Sequence, residues 1–379
     1  MGPLAGVKII ELAGLGALPF ATLKLADMGA DVVRIDRLSE VGAGPEPQPY
    51  SAWDRGRRSV AVDLKKPSGV ETVLRLAAGA DVFLEAFRPG VAERLGVGPE
   101  PVMEANPAIV YGRLTGWGQT GPLASSAGHS LNYEAITGVI GSVGPPGGPP
   151  VPVLQLLGDF AGGGLTLAFG VMCALWESRG SGRGQVVDAA MTDGVASLAS
   201  VFYGMQASGT HTTDLGSNLF DGGAPFYAIY ECADGGYVSV APIEPHFYSL
   251  LLKTIGIDEA SLPPQYDRAE WPRVKELLAA RFLEKSRDEW CALLEGTDCC
   301  AAPVLTYDEA RRHPHHRARG TFVGDDGTEV VPVPILSRTP GERRPSPAWV
   351  GADTDDVLSS NGFDAGEIAR LRRHGAVGG

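Results

Sequence analysis

Two residues in the middle of the chain combine proton-transfer chemistry with a setting that suits it. His129 follows Gly128 within the glycine-rich run LTGWGQTGPLASSAGHSLN, residues 114–132. An imidazole titrates near neutral pH, and glycines let backbone amides approach a ligand oxygen. Asp159 stands in LGDFAGGG, residues 157–164, ahead of an apolar stretch with helical spacing, so it falls at a helix N-terminus. Each has a plainer reading: a histidine on a surface loop, and an aspartate capping a helix whose dipole favours its charge. Residue type and spacing leave both readings open.

Other chemistry-bearing residues point to less. His313, His315 and His316 are broken in register by Pro314 and have no carboxylate or thiol at metal spacing, so a polar loop is expected and no metal. Five cysteines, Cys173, Cys232, Cys291, Cys299 and Cys300, are odd in number and lack CxxC spacing. That implies neither a disulfide framework nor zinc, and suits a reduced, cytoplasmic setting. The turn Gly14-Leu15-Gly16-Ala17-Leu18-Pro19 begins like a dinucleotide fingerprint with Asp36 at the end of the next strand, but Pro19 takes the place of the third glycine. A tight strand-to-helix turn is the expectation there.

Net charge is −13, which excludes general binding to nucleic acid or to an anionic membrane. Against that background Arg34, Arg37, Arg55, Arg57, Arg58, Lys65, Lys66 and Arg88 crowd the first quarter of the chain. As a group they suggest forked contacts to a phosphorylated ligand such as coenzyme A; singly, each reads as solvated surface.

These residues need elements to hold them. Residues 7–12 (VKIIEL), 31–36 (DVVRID), 59–63, 81–85 and 109–113 have the composition of buried strands. Helical spacing falls between them at 20–28, at 68–78 behind a Ser68–Glu71 capping box, and near 91–95. Alternating strands and helices predict an α/β fold, a Rossmann-like domain with a parallel sheet that binds ligands beyond its carboxyl ends. After about residue 209 the texture changes to a hairpin, 228–231 with 237–241, followed by amphipathic helices at 245–255 and 271–283, which predicts a smaller α+β domain. A proline-rich run over 331–347 reads as extended, and a last helix covers 364–373. The expected division is 1–189 for a large CoA-binding domain, a linker 190–224, a small domain 225–310, a linker 311–332, and a return to the large domain over 333–379. The start of the chain lacks the pattern of a signal peptide. Residues 160–176 are apolar but interrupted by glycines, so a buried helix is expected rather than a membrane span.

Taken in order, GPLAGVKIIELAG, GADVVRIDR, FRPGVAERLGVGP, YGRLTGWGQTGP, AGHSLNY, LLGDFAGGG, GQVVDAAMTDG, DGGAPFY and YECADGGYVSVAPIEPHFY resemble the class III CoA-transferase superfamily, and within it the alpha-methylacyl-CoA racemases. The resemblance covers most of the chain. It implies that Asp159 is catalytic, forming an acyl anhydride in the transferases and moving a proton in the racemases. His129, the histidine of AGH, marks the racemase branch, and Glu244 of the IEP motif is implied as the partner that tunes it. Arg37 and Arg88 are implied at the CoA phosphates, the backbone of Ala61, Asp63 and Leu64 along the nucleotide, and Tyr133 among the CoA contacts. An intertwined homodimer is implied, with Glu244 reaching His129 across the interface. The chain departs from the pattern once: those racemases carry Asp after the histidine, as in GHDINY, where this chain has Ser130.

The activity so implied is inversion of the 2-methyl centre of a 2-methylacyl-CoA, the α-proton leaving to one of His129 and Asp159 and returning from the other. Backbone amides at the glycine-rich run and the helix start are expected to hold the enolate oxygen. No cofactor is needed, CoA being part of the substrate, and Leu215, Leu219, Phe226, Tyr227 and Ile243 are expected along a tolerant acyl surface. The alternatives are CoA transfer through an Asp159 anhydride, an acyl-CoA-binding scaffold, and last a nicotinamide dehydrogenase.

Overall fold

Strands that are apolar on both faces cannot present either face to water, so they dictate a sheet covered twice. Ile9, Ile10 and Leu12, and all four residues of VFLE, are at most 4% exposed. The structure is a computed structural model that describes residues 2–42, 53–324 and 327–379; residues 325 and 326 of the expected second linker lie outside them. The chain divides into two compact units, Met1–Thr137 with Val153–Leu198 and Glu329–Gly379, and Gly138–Pro152 with Ala199–Thr328.

In the first unit β1 (Lys8–Leu12), β2 (Asp31–Arg37), β3 (Arg57–Val62), β4 (Val82–Glu85), β5 (Val110–Thr115) and β6 (Val186–Ala190) pair in parallel in the order β3-β2-β1-β4-β5-β6. Ile9 is level with Val32 on one side and Val82 on the other. Val377–Gly378 adds a short antiparallel edge to β3. The order reverses between β1 and β4, the point where such sheets bind ligands. The intervening helices are α1 (Ala17–Asp27), α2 (Pro67–Ala78), α3 (Val91–Arg94), α4 (Pro99–Ala105), α5 (Ser130–Ala135), α6 (Thr166–Ser181) and α7 (Met191–Leu198), and a π-helical run, Leu156–Leu165, leads into α6. Alternate residues of β1, β2, β4 and β5 feed two cores. Ile10, Val33, Val60 and Phe83 meet α2 and the C-terminal helices Thr354–Ser360 and Ala365–Arg373, while Ile9, Val32, Leu84 and Val110 meet α1 and α6.

Two expectations are corrected here. The Ser68–Glu71 capping box does not form: α2 starts at Pro67, whose fixed φ suits a first helical position, and Ser68 lies inside the helix with its carbonyl accepting the Thr72 hydroxyl at 2.7 Å. The apolar helix is half buried rather than buried. Leu167, Val171 and Leu175 pack on the sheet, but Leu165, Phe169, Met172 and Trp176 form a stripe at four-three-four spacing whose members are 37–83% exposed. By length and composition Leu156–Ser181 is apolar enough to cross a membrane.

The second unit has a three-stranded antiparallel sheet, β7 (Ala228–Glu231), β8 (Tyr237–Val240) and β9 (Ala301–Val304), with β9 beyond what the hairpin pattern indicates. Helices α8 (Ser200–Ala207), α9 (Pro245–Ile255), α10 (Trp271–Phe282) and α11 (Arg287–Leu294) belong to the same unit. Leu251, Leu278, Phe282 and Trp290 fill its core. Phe226 is in that core at 0% exposure, so it is no part of an acyl surface; Leu219 and Tyr227 are partly buried against it.

Candidate active site

A cavity of about 260 Å³ lies beyond the carboxyl ends of β1, β4 and β5, at the reversal of strand order. Leu15 and Leu18 line it after β1, Arg88 after β4, Trp117 after β5, and His129 and Tyr133 close it. Three of the expected site residues, Arg88, His129 and Tyr133, therefore line one cavity, and Asp159 is not among its lining residues.

Each is held by something specific. Arg113 on β5 binds Glu85 at 2.8 Å, and the other oxygen of Glu85 accepts the Phe87 N–H at 2.6 Å, fixing the turn that presents Arg88. Arg88 itself has no carboxylate partner among the described residues. His129 is the residue before α5; its N–H donates to Asn132 Oδ1 at 3.0 Å, which locks the entry of the chain into the helix. Tyr133 donates its hydroxyl proton to the Gly128 carbonyl and sets its ring edge-on to Trp117, centroids 4.7 Å apart. A Cβ on Gly128 would lie 2.6 Å from Tyr133 Cε1, and one on Gly116 would come as close to the same ring. These two glycines seat an aromatic ring, a different use from the approach of amides to a ligand. Burial, and next the charge of Asp159, push the Tyr133 phenol up from its ordinary pKa.

Asp159 sits in the π-helical run, a distortion frequent at functional sites. Its carboxylate lies against Gly16, between the cavity-lining Leu15 and Ala17: a Cβ on Gly16 would meet Asp159 Oδ2 at 3.2 Å, and φ there is +68°. The adjacent Phe160 is pinned by Phe20 and Trp53, each with its ring centroid 4.9 Å away. Burial raises the Asp159 pKa, the charge of Glu134 raises it further, and His129 and the Ser130 hydroxyl lower it. The charge of His129 thus reaches Asp159, with no ion pair between the two among the described residues.

The helix-start amides expected to face an enolate oxygen are engaged elsewhere. Gly158 N–H donates to Glu134 Oε1 at 2.8 Å and Asp159 N–H to Ser130 Oγ at 3.2 Å. Glu134 was not among the expected site residues; it is wholly buried, and Ser130 four residues before it donates its hydroxyl to Oε1 at 2.7 Å. The Ser/Glu pair at i, i+4 on one helix is the signal that could have found it.

Four of the eight residues of the basic cluster are held by the protein's own carboxylates. Arg55 forks onto Asp27 at 2.9 and 2.8 Å, Arg57 binds Glu11 at 2.6 Å with both side chains fully buried, Arg58 binds Asp31 at 2.7 Å, and Arg34 binds Asp36 and Asp54. Asp36 also accepts the Ser59 hydroxyl. Arg37 is 73% exposed at the end of β2, with Glu40 only at 3.9 Å. Ala61 is buried in β3, its N–H donating to Thr354 Oγ1 at 3.2 Å, while Asp63 and Leu64 follow the strand end and are half-buried. Because the strands are parallel, Arg37, Asp63 and Leu64 are on the carboxyl edge that also carries Arg88, though none of them lines the cavity. Glu244 belongs to the second unit, exposed at the start of α9.

A family model described as CoA-transferase family III matches residues 4–354. The chain belongs to CoA-transferase family III. Within the family it is 45% identical over 375 residues to the alpha-methylacyl-CoA racemase of Mus musculus, covering 97% of this chain and 96% of that protein. It is 41% identical over 379 residues to the alpha-methylacyl-CoA racemase of Homo sapiens, with the same coverage. The succinyl-CoA–D-citramalate CoA-transferase of Chloroflexus aurantiacus is more distant, 31% identical over 360 residues and 89% of each chain. A CaiB/BaiF family protein from Brucella suis has the same architecture, with a TM-score of 0.80 and 25% identity over 95% of this chain and 99% of that one.

Proposed function

We propose that this family member inverts the 2-methyl centre of 2-methylacyl-CoA thioesters, the activity that the names of its 45% and 41% identical relatives state. The observation that favours this reading over CoA transfer is that His129 lines the cavity while the Asp159 carboxylate lies against Gly16, in the turn whose neighbours Leu15 and Ala17 line the same cavity. A transferase needs one nucleophilic carboxylate; inversion needs two proton-carrying groups on opposite faces of the α-carbon.

The reaction runs between two states of equal charge, ionised Asp159 with protonated His129, and protonated Asp159 with neutral His129. In the first state Asp159 removes the α-proton and His129 delivers its own to the other face; the second state serves the reverse reaction. Ordinary Asp and His pKa values differ by about 2.6, so an unperturbed pair would favour the first state by roughly 3.5 kcal/mol. The upward shift of Asp159 narrows that gap, as an enzyme working in both directions requires.

The CoA portion runs along the carboxyl edge, its phosphates at Arg88 and Arg37 and its nucleotide end by Asp63 and Leu64, just past β3. A homodimer covers the stripe formed by Leu165 at the end of the π-helical run and Phe169, Met172 and Trp176 of α6. A helix that packs its other face on a sheet through Leu167 and Val171 is not free to enter a bilayer. In that dimer Glu244 of the partner subunit reaches His129.

The test is α-deuterium uptake from D2O into (R)- or (S)-2-methylacyl-CoA, with stereochemical analysis of the product. Uptake with loss of optical purity is expected, and its abolition in both His129→Ala and Asp159→Ala. Full activity in either variant refutes the assignment, and CoA passage to an added carboxylate without exchange establishes transfer instead.

A further inference from the structure

Behind the segment that carries Asp159 the structure places a wholly buried carboxylate, Glu134. We infer that Glu134, tied to the Asp159 segment by the Ser130 hydroxyl and the Gly158 amide, is the positioning carboxylate that holds Asp159 in place and whose charge sets its basicity; the inference rests on Asp159 being the proton carrier proposed above.

Ser130 and Glu134 are one turn apart on α5, so their side chains lie on the same helix face. Glu134 Oε1 accepts two hydrogen bonds, from Ser130 Oγ at 2.7 Å and from Gly158 N–H at 2.8 Å. Ser130 Oγ in turn accepts the Asp159 N–H at 3.2 Å. Two consecutive amides of the segment carrying Asp159 are thus tied to one buried carboxylate, one directly and one through a hydroxyl. Glu134 Oε2 is buried without a hydrogen-bond partner among the described residues. A glutamate that served only as an anchor for Gly158 would need neither full burial nor the serine bridge. Gly158 is part of the arrangement: a Cβ there would sit 2.7 Å from Glu134 Oε1 and closer still to Ser130 Oγ.

Few other charges face Asp159. From α5 come Glu134, with His129 just before the helix, and the phenol of Tyr133. On α7, packed against the π-helical run, Asp193 points to solvent. The charged residues of α1, Lys24 and Asp27, are in its last two turns, Asp27 being held by Arg55. Arg113 of β5 is paired with Glu85, and Asp188 of β6 accepts the Gln119 N–H. Glu134 is therefore the negative charge that acts most strongly on Asp159.

The experiment compares wild type, Glu134→Gln and the double variant Ser130→Asp with Glu134→Gln. The glutamine keeps the shape and the acceptor for Gly158 but removes the charge. With less repulsion Asp159 ionises more easily, so the acid limb of kcat/KM for α-deuterium exchange is expected about one pH unit lower in Glu134→Gln. The double variant, carrying a carboxylate at residue 130 instead, is expected to restore the wild-type limb. In protein labelled with 13C at aspartate side-chain carboxyls, assigned by Asp159→Asn, the Asp159 titration midpoint is expected to move by the same amount. That second readout needs no turnover: wild type without exchange, but with a midpoint that drops in Glu134→Gln, sinks the racemase reading and leaves the Glu134 role standing. An unchanged midpoint and acid limb in a folded Glu134→Gln protein overturns the inference, even if stability falls. Should that single variant not fold, the double variant decides: a wild-type acid limb and midpoint support the role, and a shifted one overturns it.

Discussion

Replacing Gly116 by alanine tests whether the glycine-rich run exists to seat Tyr133. The added methyl would lie 2.6 Å from Cε2 of that ring and nearer still to Cζ and Cε1. Carbon atoms in contact stay about 3.5–4.0 Å apart, so the ring must retreat by about 1 Å or more. Its retreat is blocked by Trp117, 4.7 Å away centroid to centroid, and by the backbone at Gly128, where even one extra carbon would be 2.6 Å from Cε1. Overpacking of this kind costs about 1–3 kcal/mol, a fall in Tm of a few degrees for a chain of this size. The consequence for activity is larger. Tyr133 donates to the Gly128 carbonyl, the peptide group that leads into His129, and misplacing a reacting group by about 1 Å can cost on the order of 100-fold in rate. Gly116→Ala is thus expected to lower α-deuterium exchange by about 10- to 100-fold while Tm falls by a few degrees. The decisive assay is a double-mutant cycle by urea unfolding. In a Tyr133→Val background the ring is gone, and Gly116→Ala should cost about 1 kcal/mol less than in wild type. Additive costs, or a Gly116→Ala enzyme with full rate, would refute the steric account.

Three further variants separate binding from structure and test the electrostatics. Arg88→Ala should raise KM for the acyl-CoA by about tenfold or more at low salt with little change in kcat, the difference shrinking as salt screens the phosphate contact; Arg55→Met should leave KM alone and lower stability by about 3–5 kcal/mol, because Asp27 stays buried without its partner. For Asp159 the folded state holds its proton more tightly than the unfolded chain, so the penalty of ionising it is absent below about pH 3.9 and grows as pH rises toward the raised folded pKa. Asp159→Asn should therefore raise Tm in calorimetry at pH 7 and change it much less near pH 4, while abolishing exchange; equal shifts at the two pH values would show that burial of the charge is not the cause.

The sheet of the first unit was legible wherever a strand is apolar on both faces. Five of its six parallel strands have that character, and the helices between them have a spacing that tertiary contacts only reinforce. β6 (VVDAA) was missed because two of its five residues are exposed and Asp188 interrupts the apolar pattern. The arginines show a different limit. Charge clustering along the chain suggested a phosphate site, but the partners that consume those charges are distant in sequence: Glu11 is 46 residues from Arg57, Asp27 is 28 from Arg55, and Asp54 is 20 from Arg34. A count of basic residues measures supply. Only the fold shows which charges are consumed: among the described residues Arg88 and Lys65 have no carboxylate partner, and Arg37 has only Glu40 at 3.9 Å.

The same contrast operates within the site. His129 stood out because it follows a glycine in a glycine-rich run and Asp159 because it precedes an apolar helix, and it is natural to read the neighbouring glycines as room for substrate. The structure assigns the room to protein: Gly128 to the Tyr133 ring, and Gly158 to Ser130 Oγ and Glu134 Oε1. A glutamate on a six-residue helix reads as solvated surface, and nothing local reveals that position 158, far along the chain, leaves space for its carboxylate. Once that space is recognised, Ser130, Glu134 and Gly158 become one unit. A larger residue at 158 would push the serine and the glutamate off the Asp159 segment together. The glycine of LGD is then a structural record of the carboxylate behind it, and exchange of the pair at 130 and 134 is possible only while that glycine stays.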